Sequence, residues 1–120
     1  MATNDVPEVE YRKVDTDFAV AGQILPDQVA MIASAGFKTI ICNRPDGEEP
    51  NQPGYQLIAD AAKEAGLDFH YIPVVREGMT YENVDATKAA LAEAQEPIFA
   101  YCRSGARSTQ LYQFVKQQDG

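Results

Sequence analysis

The residues best suited to covalent chemistry stand together at Tyr101-Cys102-Arg103-Ser104-Gly105-Ala106-Arg107-Ser108. An apolar, strand-like run ends on a cysteine, a loop of small and polar residues follows, and a helical pattern begins on its far side. Successive N–H groups of such a loop converge on an anion. The following helix adds the positive end of its dipole, and glycine at 105 permits close backbone approach. The same field favours a thiolate on Cys102, drawing its pKa from about 8.5 toward roughly 3.5 to 7.5. In this reading Cys102 is the nucleophile, Arg107 grips a substrate oxyanion and Ser108 donates to the sulfur. The backbone of Arg103, Ser104, Gly105 and Ala106 forms the anion-binding loop, with the Arg103 side chain helping to orient the substrate. The plain alternative is a buried structural cysteine ahead of a helix, for which the connection is unusually polar.

A second pattern points to the same place. Four of the five arginines, Arg44, Arg76, Arg103 and Arg107, fall in the segments 44–53, 76–79 and 102–107, whereas all five lysines fall elsewhere. The planar guanidinium fork matches oxyanions, so this distribution suggests a small anionic substrate. The competing reading is a set of surface ion pairs with Asp46, Glu48, Glu49 and Glu77. With a formal charge of -8 the chain as a whole repels nucleic acid and anionic membranes. Any anionic ligand therefore needs a local concentration of positive charge.

The elements that must position these groups follow from punctuation and periodicity. At 120 residues the chain makes one domain, 10–120, behind a polar, proline-bearing segment 1–9 expected to be mobile. Two short strands, Glu10 to Val14 and Phe18 to Ala21, flank the turn residues Asp15-Thr16-Asp17. A helix follows from Pro26 to Gly36, with Val29, Ile32 and Ala33 on one face. The β-branched run Thr39-Ile40-Ile41 centres a buried strand, and Leu57, Ile58, Ala61, Ala62 and Ala65 stripe a second helix that stops at Gly66. Phe69 to Val75 reads as a strand, Thr80 caps a third helix to about Gln95, and Ile98 to Tyr101 is a short buried strand. A last helix carries Leu111, Phe114 and Val115 on one face. Strands alternating with helices predict an α/β fold, a mostly parallel central sheet flanked by helices. Ligands bind such sheets outside the carboxyl ends of the strands, where all three arginine-bearing loops emerge.

Other residues point to plainer roles. His70, the only histidine, lies inside a strand pattern and is expected to be structural. Two cysteines sixty positions apart and one histidine give no metal-ligand spacing, so no metal and no cofactor are expected. Cys42 ends a strand that should neighbour the Cys102 strand. It is expected to be a buried small residue, with a resolving thiol as the sharper alternative. The longest apolar stretches, such as 39–42 and 98–101, fall far short of the roughly 20 residues a bilayer demands. With no apolar leader and only two cysteines, the expectation is a cytoplasmic protein.

At Cys102-Arg103-Ser104-Gly105-Ala106-Arg107-Ser108 the chain resembles the active loop of single-domain rhodaneses, in which the cysteine carries a sulfane sulfur. From Tyr11 to Phe114 the order of elements is similar to cysteine-dependent dual-specificity phosphatases, including Ala35-Gly36-Phe37, Thr39-Ile40-Ile41 and Tyr71-Ile72-Pro73-Val74. Gly22-Gln23-Ile24 and Asn43-Arg44-Pro45-Asp46-Gly47-Glu48-Glu49 resemble more closely the phosphatase-like domain of the beta-lactamase-hydrolase-like proteins. Two departures bear on what that implies. Phosphatase loops place the arginine six positions after the cysteine, whereas Arg107 is five after Cys102. Phosphatases of this type also carry an aspartate acid after the Ile-Pro-Val strand, where this chain has Val75-Arg76-Glu77-Gly78.

A phosphate monoester needs its leaving alkoxide protonated, whereas thiosulfate expels sulfite without help. The favoured expectation is accordingly a sulfurtransferase working through a Cys102 persulfide. Its substrate would be thiosulfate, a persulfide or a similar small anion, and a low-molecular-weight thiol such as glutathione would accept the sulfur. The alternative is a phosphatase acting on a phosphate ester through a phosphocysteine, with Asp46 or Glu77 supplying the proton from a rim that also carries Arg44 and Arg76. A non-catalytic anion- or partner-binding domain is the third reading.

Overall fold

The computed structural model describes residues 6–119. Five strands, β1 (Arg12–Asp15), β2 (Phe18–Ala21), β3 (Thr39–Cys42), β4 (Asp68–Tyr71) and β5 (Ile98–Tyr101), form one sheet in the order β1-β2-β5-β3-β4. The first pair is antiparallel, and every other pair is parallel. Among the described residues four α-helices accompany the sheet, α1 (Val29–Ser34), α2 (Tyr55–Glu64), α3 (Tyr81–Glu93) and α4 (Ala106–Asp119), and the start of the helix expected from Pro26 is a 3-10 turn instead, Pro26–Gln28. The expected α/β architecture is therefore present.

The pleat sorts each strand's side chains into two layers. Ala19, Ala21, Ile40, Cys42, Phe99 and Tyr101 join the side chains of α1 and α2. Phe18, Val20, Ile41, Ile98 and Ala100 join those of α3 and α4. Because both faces are covered, β2, β3 and β5 are buried along their whole length. The edge strand β4 shows mixed exposure instead. Phe99, at the centre, meets Tyr11 and Phe37 edge-on, with centroids 5.8 and 5.3 Å away.

Register sets the position of the site. Ala21 and Cys42 both pair with Tyr101, so β2, β3 and β5 end level and the loops leaving them emerge side by side. The fourth parallel strand ends earlier than the sequence pattern implies. Pro73 has no N–H to give a ladder, so past Tyr71 the chain is tied by Ile72 N–H to the Cys42 carbonyl (2.9 Å) and Val74 N–H to the Asn43 carbonyl (2.9 Å).

Two helical faces also differ from expectation. Leu57 is 56% exposed and Phe114 38% exposed, so the buried faces rest on Ile58 and Ala62 in α2 and on Leu111, Tyr112 and Val115 in α4. The expected mobile segment 1–9 falls partly outside the described residues. Within them, the Pro7 carbonyl accepts from Gln28 Nε2 (3.0 Å) and Val9 packs on the core. Among the described residues no helix is long and apolar enough to cross a membrane.

Candidate active site

The chain leaves β5 at Tyr101, turns through residues 102–105 and enters α4 at Ala106. Gly105 has a φ of 95°, a left-handed conformation that a side chain would strain. The loop is laced to the end of β2. Cys102 N–H donates to the Ala21 carbonyl (3.2 Å), and Gln23 N–H donates to the Arg103 carbonyl (3.3 Å). This close approach needs glycine at 22, because a Cβ there would lie 2.8 Å from the Arg103 carbonyl oxygen. Gly22→Ala is expected to cost about 1–3 kcal/mol by overpacking against backbone. Denaturant unfolding checks the loss, and alkylation of Cys102 reports whether the loop loosens with it.

Cys102 is 1% exposed, with its sulfur at the floor of the turn. Gly105 N–H donates to Sγ at 3.1 Å. Burial opposes ionisation of the thiol, but the N–H groups of Ser108, Ser104 and Gly105 and the Ser108 hydroxyl together outweigh it and hold the pKa below its ordinary value. Ser108 is also 1% exposed, and its hydroxyl forms no complete hydrogen bond in the resting loop. Its polar neighbour is the sulfur, consistent with a donor reserved for the thiolate. The N–H groups of the turn are thus drawn in upon the sulfur itself.

Arg107 is held from outside the loop. Nη1 donates to Glu48 Oε2 (2.7 Å) and to the Val74 carbonyl (2.7 Å), while Nη2 donates to Glu48 Oε1 (2.9 Å). This bidentate grip takes both Nη1 hydrogens and one on Nη2, and the Cys102 sulfur is the guanidinium's other polar neighbour. Glu48 also accepts from Arg44 Nε (2.9 Å). Hydrogen bonding by Arg107, then by Arg44, outweighs burial and lowers its pKa to about 2. Glu48 is therefore a fixed carboxylate at neutral pH, and it cannot serve as a proton donor there.

The same shift makes a stability statement. The folded carboxyl titrates below its ordinary value of 4.5, so its contribution is complete above that pH and is lost as pH falls toward 2. Glu48→Gln is expected to lower stability at pH 7 and to flatten the decline between those two values. Thermal unfolding of both proteins across the acid range checks this.

Arg44, 2% exposed, spends its guanidinium on Glu48, on Gln23 Oε1 (3.0 Å) and on Glu49 Oε1 (3.0 Å). It is a buried strut rather than a substrate ligand, the ion-pair reading foreseen for this rim. Glu49 also reaches Arg103 Nη2 (3.2 Å), and Arg76 is near enough to help lower its pKa. Three of the four loop arginines thus pair with Glu48 or Glu49, the competing ion-pair reading of their placement, and Arg76 acts on Glu49 from further off.

The candidate acids are placed differently. Asp46 Oδ1 accepts the Tyr55 N–H (2.8 Å) and caps α2. Glu77 is exposed and, among the described residues, makes no ion pair.

Cys42 pairs in register with Tyr101 and faces the α1/α2 layer. Its thiol donates to the Arg44 carbonyl (3.4 Å), and burial pushes its pKa up to about 11. These surroundings suit the plain buried role over the resolving thiol. His70 lies within β4, as expected. One contact was not legible. Arg12, on the antiparallel edge strand, donates through Nη2 to Thr109 Oγ1 (3.2 Å), and its Nη1 lies 3.5 Å from the position of a Gly105 Cβ. The fifth arginine therefore braces the loop from behind, a contact that depends on the pairing of β1 with β2.

Comparison with known proteins agrees with this geometry. The beta-lactamase hydrolase-like protein, phosphatase-like domain family matches residues 10–118. The chain is 38% identical over 108 residues to a beta-lactamase hydrolase-like protein of Agrobacterium fabrum, covering 90% of this chain and 25% of that one. A Xylella fastidiosa protein of the same name is 36% identical over 107 residues, covering 89% of this chain and 25% of that one. The chain thus spans about a quarter of the length of the curated relatives it matches.

Among solved structures, a "putative phosphatase" of Neisseria meningitidis superposes with a TM-score of 0.80 at 35% identity, covering 90% of this chain and 77% of that one. The core catalytic domain of PP-IP phosphatase SIW14 from S. cerevisiae shares the fold at a TM-score of 0.61 and 14% identity, covering 94% of this chain and 78% of that one. These matches support the phosphatase-like alternative over the sulfurtransferase expectation. The chain belongs to the beta-lactamase hydrolase-like protein, phosphatase-like domain family.

Proposed function

We propose that the domain is a cysteine-dependent, phosphatase-like enzyme that accepts a small anionic group onto Cys102 from a donor whose leaving group departs without a proton. The observation that carries this reading is the sulfur under three converging N–H groups, with its pKa lowered in spite of burial. The leaving-group restriction follows from the rim. Glu48 is held as a carboxylate, Asp46 gives Oδ1 to the first N–H of α2, and Glu77 stands exposed with no ion pair, among the described residues, to fix it over the sulfur. A phosphoanhydride, acyl phosphate or aryl phosphate meets the restriction, whereas an alkyl monoester does not.

In the first step the thiolate forms a bond to phosphorus as the phosphorus–oxygen bond breaks, and the leaving group departs with the electron pair. Water then attacks phosphorus as the sulfur–phosphorus bond breaks, the electron pair returning to the Cys102 thiolate and the water's protons leaving with inorganic phosphate. Arg107, aimed by Glu48, stabilises the charge on the transferring group in both steps.

One observation favours a second reading, sulfur transfer. The loop is one residue shorter than that of phosphatases, and its N–H groups already close on Sγ, leaving a ring suited to a single added sulfur. Here the thiolate attacks the sulfane sulfur of thiosulfate, and sulfite leaves with the electrons of the broken sulfur–sulfur bond. A thiol acceptor then takes the outer sulfur.

Side-by-side rates with an aryl phosphate and with thiosulfate plus a thiol, combined with intact mass, separate the two. Phosphate release with a phosphate-mass adduct on Cys102 supports the first reading. A one-sulfur adduct without phosphate release supports the second, and neither adduct on the wild type contradicts both.

A further inference from the structure

The two glutamates at the rim are held very differently. Glu48 is nearly buried, its side chain 11% exposed, and it accepts hydrogen bonds from both Arg107 and Arg44. Glu49 is 47% exposed, with one contact to Arg44 at 3.0 Å and one to Arg103 at 3.2 Å. Arg103 is itself 53% exposed, so most of its donors face water. The Glu49–Arg103 pair, exposed on both sides, is worth only about 0–1 kcal/mol, and a stronger anion displaces Oε2 from Arg103 at little cost while Oε1 stays on the buried Arg44. Arg76 stands exposed on the neighbouring loop, within electrostatic reach of the same carboxylate. Arg44 is saturated and Arg107 belongs to the reacting group. That leaves Arg103, paired only with the half-exposed Glu49, and Arg76, which forms no ion pair among the described residues, as the two exposed guanidinium groups near Glu49.

We propose, resting on the reading above, that the donor carries a second anionic group, a carboxylate or phosphate. This group binds between Arg103 and Arg76 by displacing Glu49 Oε2 from Arg103, while the reacting group lies over Cys102 against Arg107. Glu49 acts as a stand-in for that group in the empty site. It offsets the repulsion between two rim cations, and it favours a donor with two anionic groups over a donor with one. Bidentate contact by an arginine fork gives this outer position its selectivity for planar or tetrahedral oxyanions.

Protection of Cys102 from iodoacetamide tests the proposal without requiring turnover. Methylphosphonate offers one anionic group, whereas phosphonoacetate and methylenediphosphonate offer two, the second being a carboxylate or a phosphonate. In the wild type at least one of the two-group probes is expected to half-protect at a concentration about tenfold below that of methylphosphonate. Whichever does so identifies the second group. Arg103→Gln and Arg76→Gln are each expected to remove most of that advantage, and Glu49→Gln to widen it. Equal protection by all three probes in the wild type, or an advantage that survives both arginine substitutions, overturns this proposal while leaving the Cys102 chemistry standing. Absence of protection by any probe overturns both.

Discussion

Cys102→Ser is expected to abolish group transfer, lowering turnover on an aryl phosphate or on thiosulfate by about 10⁴-fold or more, the scale on which enzymes lose activity when a covalent nucleophile is removed. The reason is local. The N–H groups of Ser104, Gly105 and Ser108 stabilise a charge, and a serine hydroxyl at neutral pH carries none. The smaller oxygen also shortens the reach from a floor position that is only 1% exposed. The substitution changes one atom in a loop tied down by Ala21, Gln23 and Arg12, so the fold should persist. A serine protein that melts with the wild type yet forms no covalent adduct isolates the chemical role. Retention of more than about a hundredth of the activity would mean that the attacking group lies elsewhere.

Arg107→Lys is expected to lower kcat/KM by about 10²–10³-fold, the cost of removing one preorganised charge-stabilising donor. An ammonium keeps the charge but cannot hold Glu48 and the Val74 carbonyl with one edge while offering another edge to an anion. The loss should fall mainly on kcat, because the charge it stabilises develops in transit. An effect confined to KM would show that Arg107 binds donor and transition state alike. Full activity in the lysine protein would remove the fork from the account.

Most of the fold was legible because its signals are local. The runs Thr39-Ile40-Ile41 and Ile98-Phe99-Ala100-Tyr101 are β-branched or aromatic and short, and both form buried strands. Thr80 caps α3 by accepting from Asn83 N–H (3.1 Å), as its side-chain chemistry dictates. Errors arose where tertiary position decides. Leu57 and Phe114 fit their helical stripes by spacing, yet each sits at the stripe's margin, where the sheet does not reach.

The site divides in the same way. Cys102, Gly105, Arg107 and Ser108 lie within the single segment 102–108, so strand, turn and helix punctuation sufficed to group them. The gathering of Arg44 and Arg103 was legible as a bias in where arginines occur. What sequence could not give is which carboxylate serves which arginine. Glu48 and Glu49 are adjacent and chemically identical, and only the path of the loop after β3 makes one a buried clamp on Arg107 and the other a half-exposed contact of Arg103. Nor could the sequence place Arg12, about ninety residues away, behind Gly105.

The pH dependence of Cys102 alkylation tests the central claim most directly, read peptide by peptide after iodoacetamide treatment. Cys42, buried and with its pKa pushed up to about 11, serves as an unreactive internal reference. The Cys102 rate is expected to level off at a lower pH than that of an ordinary thiol, to fall on acidification below that point, and to be slowed by added phosphate at every pH on the plateau. A rate that instead climbs through about pH 8.5, as an ordinary thiol does, and ignores phosphate would contradict it.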